Sequence, residues 1–177
     1  MEGNVLINRE KCQETGLLIK SLHPRKGFYE RPFLRIQAPI ETQLSGYFYA
    51  VAICHQTYHL YHQPLNLHGW DYIEHVFTRL INEQHELLMP GFAEKSDFRS
   101  FKMLLASLFS ADNDPDHTTL DRLDERSAMI IELDRFLSDR FDSSIQKLVK
   151  NAGGYLVYRG KGFYEILSGL AAFADPR

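Results

Sequence analysis

The 177-residue chain is poor in cysteine. Cys12 and Cys54 are its only two, too few for the disulfide framework that staples small secreted domains. Its first residues, MEGNVLINREK, lack the basic-then-apolar order of a secretory leader, and the two absences together point to a reducing, cytoplasmic setting. No apolar run approaches the ~18 to 20 residues of a membrane-spanning helix, the longest being broken at Cys54-His55-Gln56. No membrane partner is expected. Positive charge is not in excess either: 20 Lys and Arg face 23 Asp and Glu, a formal net charge of -3. That balance gives no general grip on a phosphate backbone and disfavours duplex nucleic acid as a partner. The chain also lacks internal repeats, low-complexity tracts, a GxSxG elbow, an HExxH pair and a phosphate-loop pattern. Gly160-Lys161-Gly162 is read as a turn.

What remains is the composition of a folded domain. Hydrophobic residues make up 44% of the chain and aromatic residues 12%, with a single Trp, so a core rich in Phe and Tyr rings is expected. The spacing predicts an all-α fold, a bundle of about six to seven helices in a single domain over residues 1–177. A helix over Arg9 to Leu22 is followed by an irregular or extended segment near residues 24–40, where Pro24, Gly27, Pro32 and Pro39 bar a continuous helix. Phe33, Leu34 and Ile36 there are expected to lie across a neighbouring surface. A helix apolar on all sides is predicted from about Glu41 to His62, and an amphipathic one from Asp71 to Gln84. A helix capped by Ser96 or Asp97 carries Phe98 to Leu108. The longest helix, entered through a capping box at Thr118 and Asp121, runs through Leu123 to Phe141. A short helix opened by Ser143 and Gln146 ends at Gly153-Gly154, and an apolar segment from Gly162 to Phe173 closes the chain.

Three places draw chemical attention. Cys54-His55-Gln56 puts polar groups at the inner end of a buried helix, where they must find partners or face a hollow. Five of the eight histidines, His55, His59, His62, His68 and His75, fall close together. Two on one helix can share a metal but a third is out of reach, since seven residues rise about 10 Å. Trp70-Asp71 stands at a helix entrance, where an indole staples the turn or offers a flat face to a purine-like base, and Asp71 suits the helix start.

The order of these strings resembles the queuosine salvage protein family. The resemblance runs through Asn4-Val5-Leu6-Ile7, the Phe48 to Gln56 helix, Gly69-Trp70-Asp71 and Leu123-Asp124-Glu125-Arg126. It continues through Phe141, Ser143 to Lys150, Asn151-Ala152 and Phe163 to Phe173. It implies a DNA-glycosylase-like helical fold and the activity of a queuosine-nucleotide N-glycosidase, a hydrolase. It also implies a catalytic carboxylate at Asp175, because Phe173-Ala174-Asp175-Pro176-Arg177 is similar to the family's Phe-Ala-Asp-aromatic-Arg string. The overall order, however, places the family's string beyond the end of this chain, so a shortened relative or a fragment lacking a C-terminal part is also expected. Where the family has an aromatic-rich, Asn-containing string, this chain has Ile53-Cys54-His55-Gln56-Thr57, so the family's base does not carry over.

The expected function is therefore an N-glycosidase-like protein acting on a modified nucleoside or nucleotide, without a cofactor. Cleavage of an N-glycosidic bond passes through an oxocarbenium-like state, which calls for a carboxylate near the sugar and contacts for the base. Asp175 takes the first role, and His55, Gln56, Tyr58, Trp70 and Asp71 the second. Two alternatives stand beside it: a non-catalytic binding or interaction module of the same fold, and a metal-dependent enzyme built on the His55–His75 cluster.

Overall fold

A computed structural model of the chain describes residues 8–21, 33 and 35–174. The strings Asn4 to Ile7 and Asp175 to Arg177, most of the segment at 24–40 and Leu34 lie outside them. The described residues form an all-α bundle with one small hairpin: α1 (Arg9–Ser21), α2 (Ile40–Ala52), β1 (Tyr61–His62), β2 (Leu67–His68), α3 (Gly69–Asn82), α4 (Phe92–Lys95), α5 (Phe98–Leu108), α6 (Leu123–Phe141), α7 (Ile145–Asn151) and α8 (Phe163–Leu167). None of their helices is long and apolar enough to cross a membrane.

The centre of the bundle is α6, which touches α2, α4, α5 and α7, while α2 lies along α3. Their close approach depends on Gly46: a Cβ there would stand 2.6 Å from the Ile81 side chain. The apolar face of α3, Ile73, Val76, Phe77, Leu80 and Ile81, is buried as its spacing requires. Phe33 and Ile36 are buried in the same core, and α1 buries none of its residues.

Two short helices have their starts held by distant carboxylates. Asp134, buried on α6, accepts from the N–H groups of Gly91 at 3.1 Å and Glu94 at 3.0 Å, holding the first turn of α4. Glu41 on α2 accepts from the Ser144 hydroxyl at 2.5 Å and the Ile145 N–H at 3.1 Å, which fixes the start of α7. Burial raises the pKa of Glu41, but the hydrogen bonds from Ser144, Gln146 and Ile145 outweigh it and leave the carboxyl below its ordinary range.

Three expected boundaries move. The helix expected to reach His62 stops at Ala52, and the chain turns away into the β1–β2 hairpin, paired Tyr61 to His68 and His62 to Leu67. The Thr118–Asp121 capping box does not form, because α6 begins at Leu123 with Arg122 in the left-handed region at its N-cap. The Thr118 hydroxyl accepts instead from Leu120 N–H at 3.3 Å, and Asp121 pairs with Arg126. The cap of α7 is Ser144, one residue later than expected, since Asp142 and Ser143 both take positive φ. Asp97 caps α5 as its spacing predicts, accepting from Ser100 N–H at 3.0 Å.

Candidate functional site

The end of α2 sets the site. The last turn of α2 closes through backbone bonds from Ile53 N–H to Tyr49 and Cys54 N–H to Val51, and a single side chain from α6 takes the carbonyls that follow. Arg126 is fully buried. It donates to the carbonyls of Ile53 and His55, the latter at 3.0 Å, and is anchored at 2.8 Å to both the backbone carbonyl and the side chain of Asp121. A buried guanidinium is tolerated only when its donors are spent in this way. With the main chain so held, Gln56 takes φ +50, and the turn carries the His55 and Gln56 side chains to the rim of a hollow.

That hollow encloses about 310 Å³ and is lined by His55, Gln56, Arg122, Glu125, Met129 and the alanines 171, 172 and 174. Such a volume is at the small end of the ~300–1,000 Å³ typical of small-molecule pockets. Arg122, Glu125 and Met129 share one face because they fall at i, i+3 and i+7 along the start of α6. Arg122 donates to the Gln56 side-chain oxygen at 2.5 Å and pairs with Glu125 at 2.5 Å. His55 Nε2 is shielded from solvent and has no hydrogen-bond partner; the nearest acidic atom, Glu125 Oε1, is 3.7 Å away. The opposite wall is tied to the bundle by the Ala171 N–H, which donates to Glu132 at 3.1 Å, and by Phe173, stacked 5.4 Å from Phe48. Cys54 next door is half-buried, and burial pushes its thiol up, so it is not a ready nucleophile at neutral pH.

Of the expected contact residues, His55 and Gln56 share this hollow, while Tyr58, Trp70 and Asp71 stand elsewhere. Tyr58 is 78% exposed, with its ring 4.2 Å from that of His59. Trp70 meets Phe33 edge-on at 6.1 Å. Asp71 lines a separate hollow of about 290 Å³ with Leu67, Glu74, His75 and Thr78. Burial, with the nearby His62 and Arg79, pushes the His75 imidazole below its ordinary range. Between the two places the chain leaves α2 at Ala52 and passes through the β1–β2 hairpin, and α3 begins at Gly69 against Thr57, with Trp70 and Asp71 directed to other surroundings. Asp175 lies outside the described residues and follows Ala174 in sequence.

The histidine cluster disperses for the same reason. His62 Nδ1 accepts from Leu65 N–H at 3.2 Å, the His62 and His75 rings are 6.2 Å apart, and His68 stacks on Tyr61. Among the described residues no three His, Cys, Asp or Glu side chains come together as a metal site would need, so the metal-dependent reading loses its ligand set. Sequence reasoning passed over Arg122, Glu125 and Met129. Their signal was the helical spacing from Arg122 into the Leu123-Asp124-Glu125-Arg126 string.

Comparison of the chain with protein-family models, curated proteins and solved structures gives no match.

Proposed function

We propose that this chain is an N-glycosidase-like protein that binds a modified nucleoside or nucleotide in the hollow beside His55 and hydrolyses its base–sugar bond. The observation that carries the reading is the meeting of His55 and Gln56 with an acidic and a cationic side chain around one small cavity. A planar base needs a partly apolar slot with hydrogen-bonding groups at its edge. Met129 and the alanines supply the apolar surface, and the unpartnered His55 Nε2 supplies an edge contact.

In the reaction the bond from C1′ to the base nitrogen breaks, its electron pair leaves with the base, water adds to the sugar cation, and the proton that this water sheds is balanced by the one that the departing base takes up. Asp175, by the resemblance to the queuosine salvage family, is the carboxylate that stabilises that cation. Glu125 is less suited to the role because Arg122 already holds it. The test is release of free base from a panel of nucleosides and nucleotides, read by chromatography and mass spectrometry. The wild-type chain releases base and Asp175→Ala does not, with unchanged far-ultraviolet circular dichroism. Equal release by the variant removes Asp175 from the chemistry, and no release from any member of the panel by wild type removes the activity.

One observation favours a binding-only module: Arg122 occupies both the Gln56 amide oxygen and Glu125, which leaves catalysis dependent on Asp175 alone. Ligand binding without base release is the signature of that second reading.

A further inference from the structure

Between Asp142 and Glu165 the chain carries four cations, Lys147, Lys150, Arg159 and Lys161, and no acidic residue, although the whole protein has a net charge of -3. Lys147 is engaged by Asp142 at 2.6 Å. Lys150, Arg159 and Lys161 are exposed, and none forms an ion pair with a carboxylate among the described residues.

The same stretch contains a loop, 153–162, that is braced from within. Its strands of backbone bond to one another, Phe163 N–H to the Tyr155 carbonyl and Tyr164 N–H to the Leu156 carbonyl, both at 2.9 Å. The Glu165 carboxylate accepts from the N–H groups of Tyr158, Gly160 and Gly162, each at 2.7 Å. Gly162 packs so closely beneath the tip that a Cβ would lie 2.6 Å from the Leu156 carbonyl oxygen and 2.7 Å from Val157 Cα. These polar groups are thus turned inward and apolar side chains outward. Leu156 is 68% and Val157 63% exposed. Tyr155 and Tyr158 flank them with rings stacked at 4.6 Å, and Arg159 lies over Tyr158. An apolar hollow of about 270 Å³, lined by Val149, Ala152, Leu156 and Phe163 among others, extends this surface.

We propose that this loop docks the protein on an anionic lipid surface. Leu156 and Val157 enter the acyl boundary, Tyr155 and Tyr158 sit at headgroup depth, and Lys150, Arg159 and Lys161 meet the lipid charges. Because the loop is already ordered, it loses little conformational freedom on docking. Charge and chemistry select this occupant over the others. A second copy of the chain brings the same cations and is repelled. A single nucleic-acid strand matches the charge, but the Tyr155 and Tyr158 rings are stacked on each other with Arg159 over Tyr158, so the faces on which bases would stack are taken and the tip between them is aliphatic. Peripheral attachment needs no spanning helix, and this inference departs from the sequence expectation of no membrane partner. It is independent of the hollow beside His55, so base-release assays and lipid assays fail or succeed separately.

The experiment is co-sedimentation of the full chain with vesicles of phosphatidylcholine alone and of phosphatidylcholine with about 30% phosphatidylserine. Binding is expected on the anionic vesicles only, weakened about fivefold by each of Arg159→Gln and Lys161→Gln, and lost in the double variant Leu156→Ser, Val157→Ser. In a second measurement Leu156→Trp shifts its added emission to the blue on anionic vesicles. Equal binding to both vesicles, no binding to either, an unshifted Leu156→Trp spectrum, or full binding by the serine variant each overturns the proposal. So does tighter binding to an oligouridylate, which makes nucleic acid the partner.

Discussion

Arg126 closes the end of a helix that is not its own. From α6 it donates to the carbonyl of Ile53, the residue that caps α2, and so holds the turn that presents His55 and Gln56. Removing the guanidinium strands the buried carbonyl of Ile53 and takes the donor from the half-buried carbonyls of His55 and Asp121. Arg126→Ala is expected to lower stability by about 3 kcal/mol or more in urea unfolding, with Arg126→Lys in between because an ammonium cannot span the same fan of acceptors. A loss below about 0.5 kcal/mol, the range of an ordinary surface change, would show that water replaces the cap.

His55 and Gln56 lie at a cavity rim rather than in the core, so their removal should be read in binding and not in folding. His55→Ala is expected to weaken nucleoside binding about tenfold, the loss of one hydrogen bond at the base edge. The partner variant is Gln56→Asn, because asparagine tolerates the positive φ of that position. Calorimetric titration and thermal melting separate the outcomes: a large fall in melting temperature with unchanged binding returns both residues to a purely architectural role.

Tyr72 is buried on α3 beside Phe109. Burial, opposed only in part by the Arg79 charge, pushes its phenol from 10.0 to about 12. The unfolded chain therefore loses this proton first as pH rises. Its contribution to stability is whole below pH 10 and fades as pH climbs through about 12. Tyr72→Phe, which has no proton to lose, should move the midpoint of alkaline unfolding upward and remove one delayed step from the tyrosinate absorbance titration.

In the exposed turn after α5, Asp112 accepts from Ser110 and faces His117 Nδ1 at 2.8 Å. Hydrogen bonds from Ser110 and His117 hold the Asp112 carboxyl well below its ordinary 3.8, while the hydrogen bond to Asp112 and its charge raise His117 above 6.5. The carboxylate contribution is present above pH 3.8 and lost as pH falls through its lowered value. The imidazolium contribution is present below pH 6.5 and lost as pH rises through its raised value. Between those limits the turn is held tightest. The His117 ring resonances in a nuclear magnetic resonance titration should report the upward shift, and Asp112→Asn should remove most of it, leaving the smaller effect of the Asp114 and Asp116 charges.

The bundle was legible where one face of a helix meets the core. The stripe from Ile73 to Ile81 and the Asp97 cap are local signals, and the helices they predict are found. Boundaries failed where a distant residue decides them. Nothing between Glu41 and His62 announces that Arg126 will cap the chain at Ile53, so the apolar run was read on through its true end. With α2 ending at Ala52, the histidines fall on a turn, the hairpin and α3 instead of one helix, and Trp70 packs against Phe33. Half of the hollow was visible in Cys54-His55-Gln56. The other half, Arg122 and Glu125, was not, because their spacing reads equally well as a solvated first turn.

The carboxylates of Glu41 and Asp134 have a kinetic corollary. A four-residue or seven-residue helix does not persist alone in water, and α4 and α7 receive their first hydrogen bonds from positions 40 and 103 residues away in the chain. Their coils wind only after the two long rods have met, so helix content should rise in step with collapse instead of preceding it.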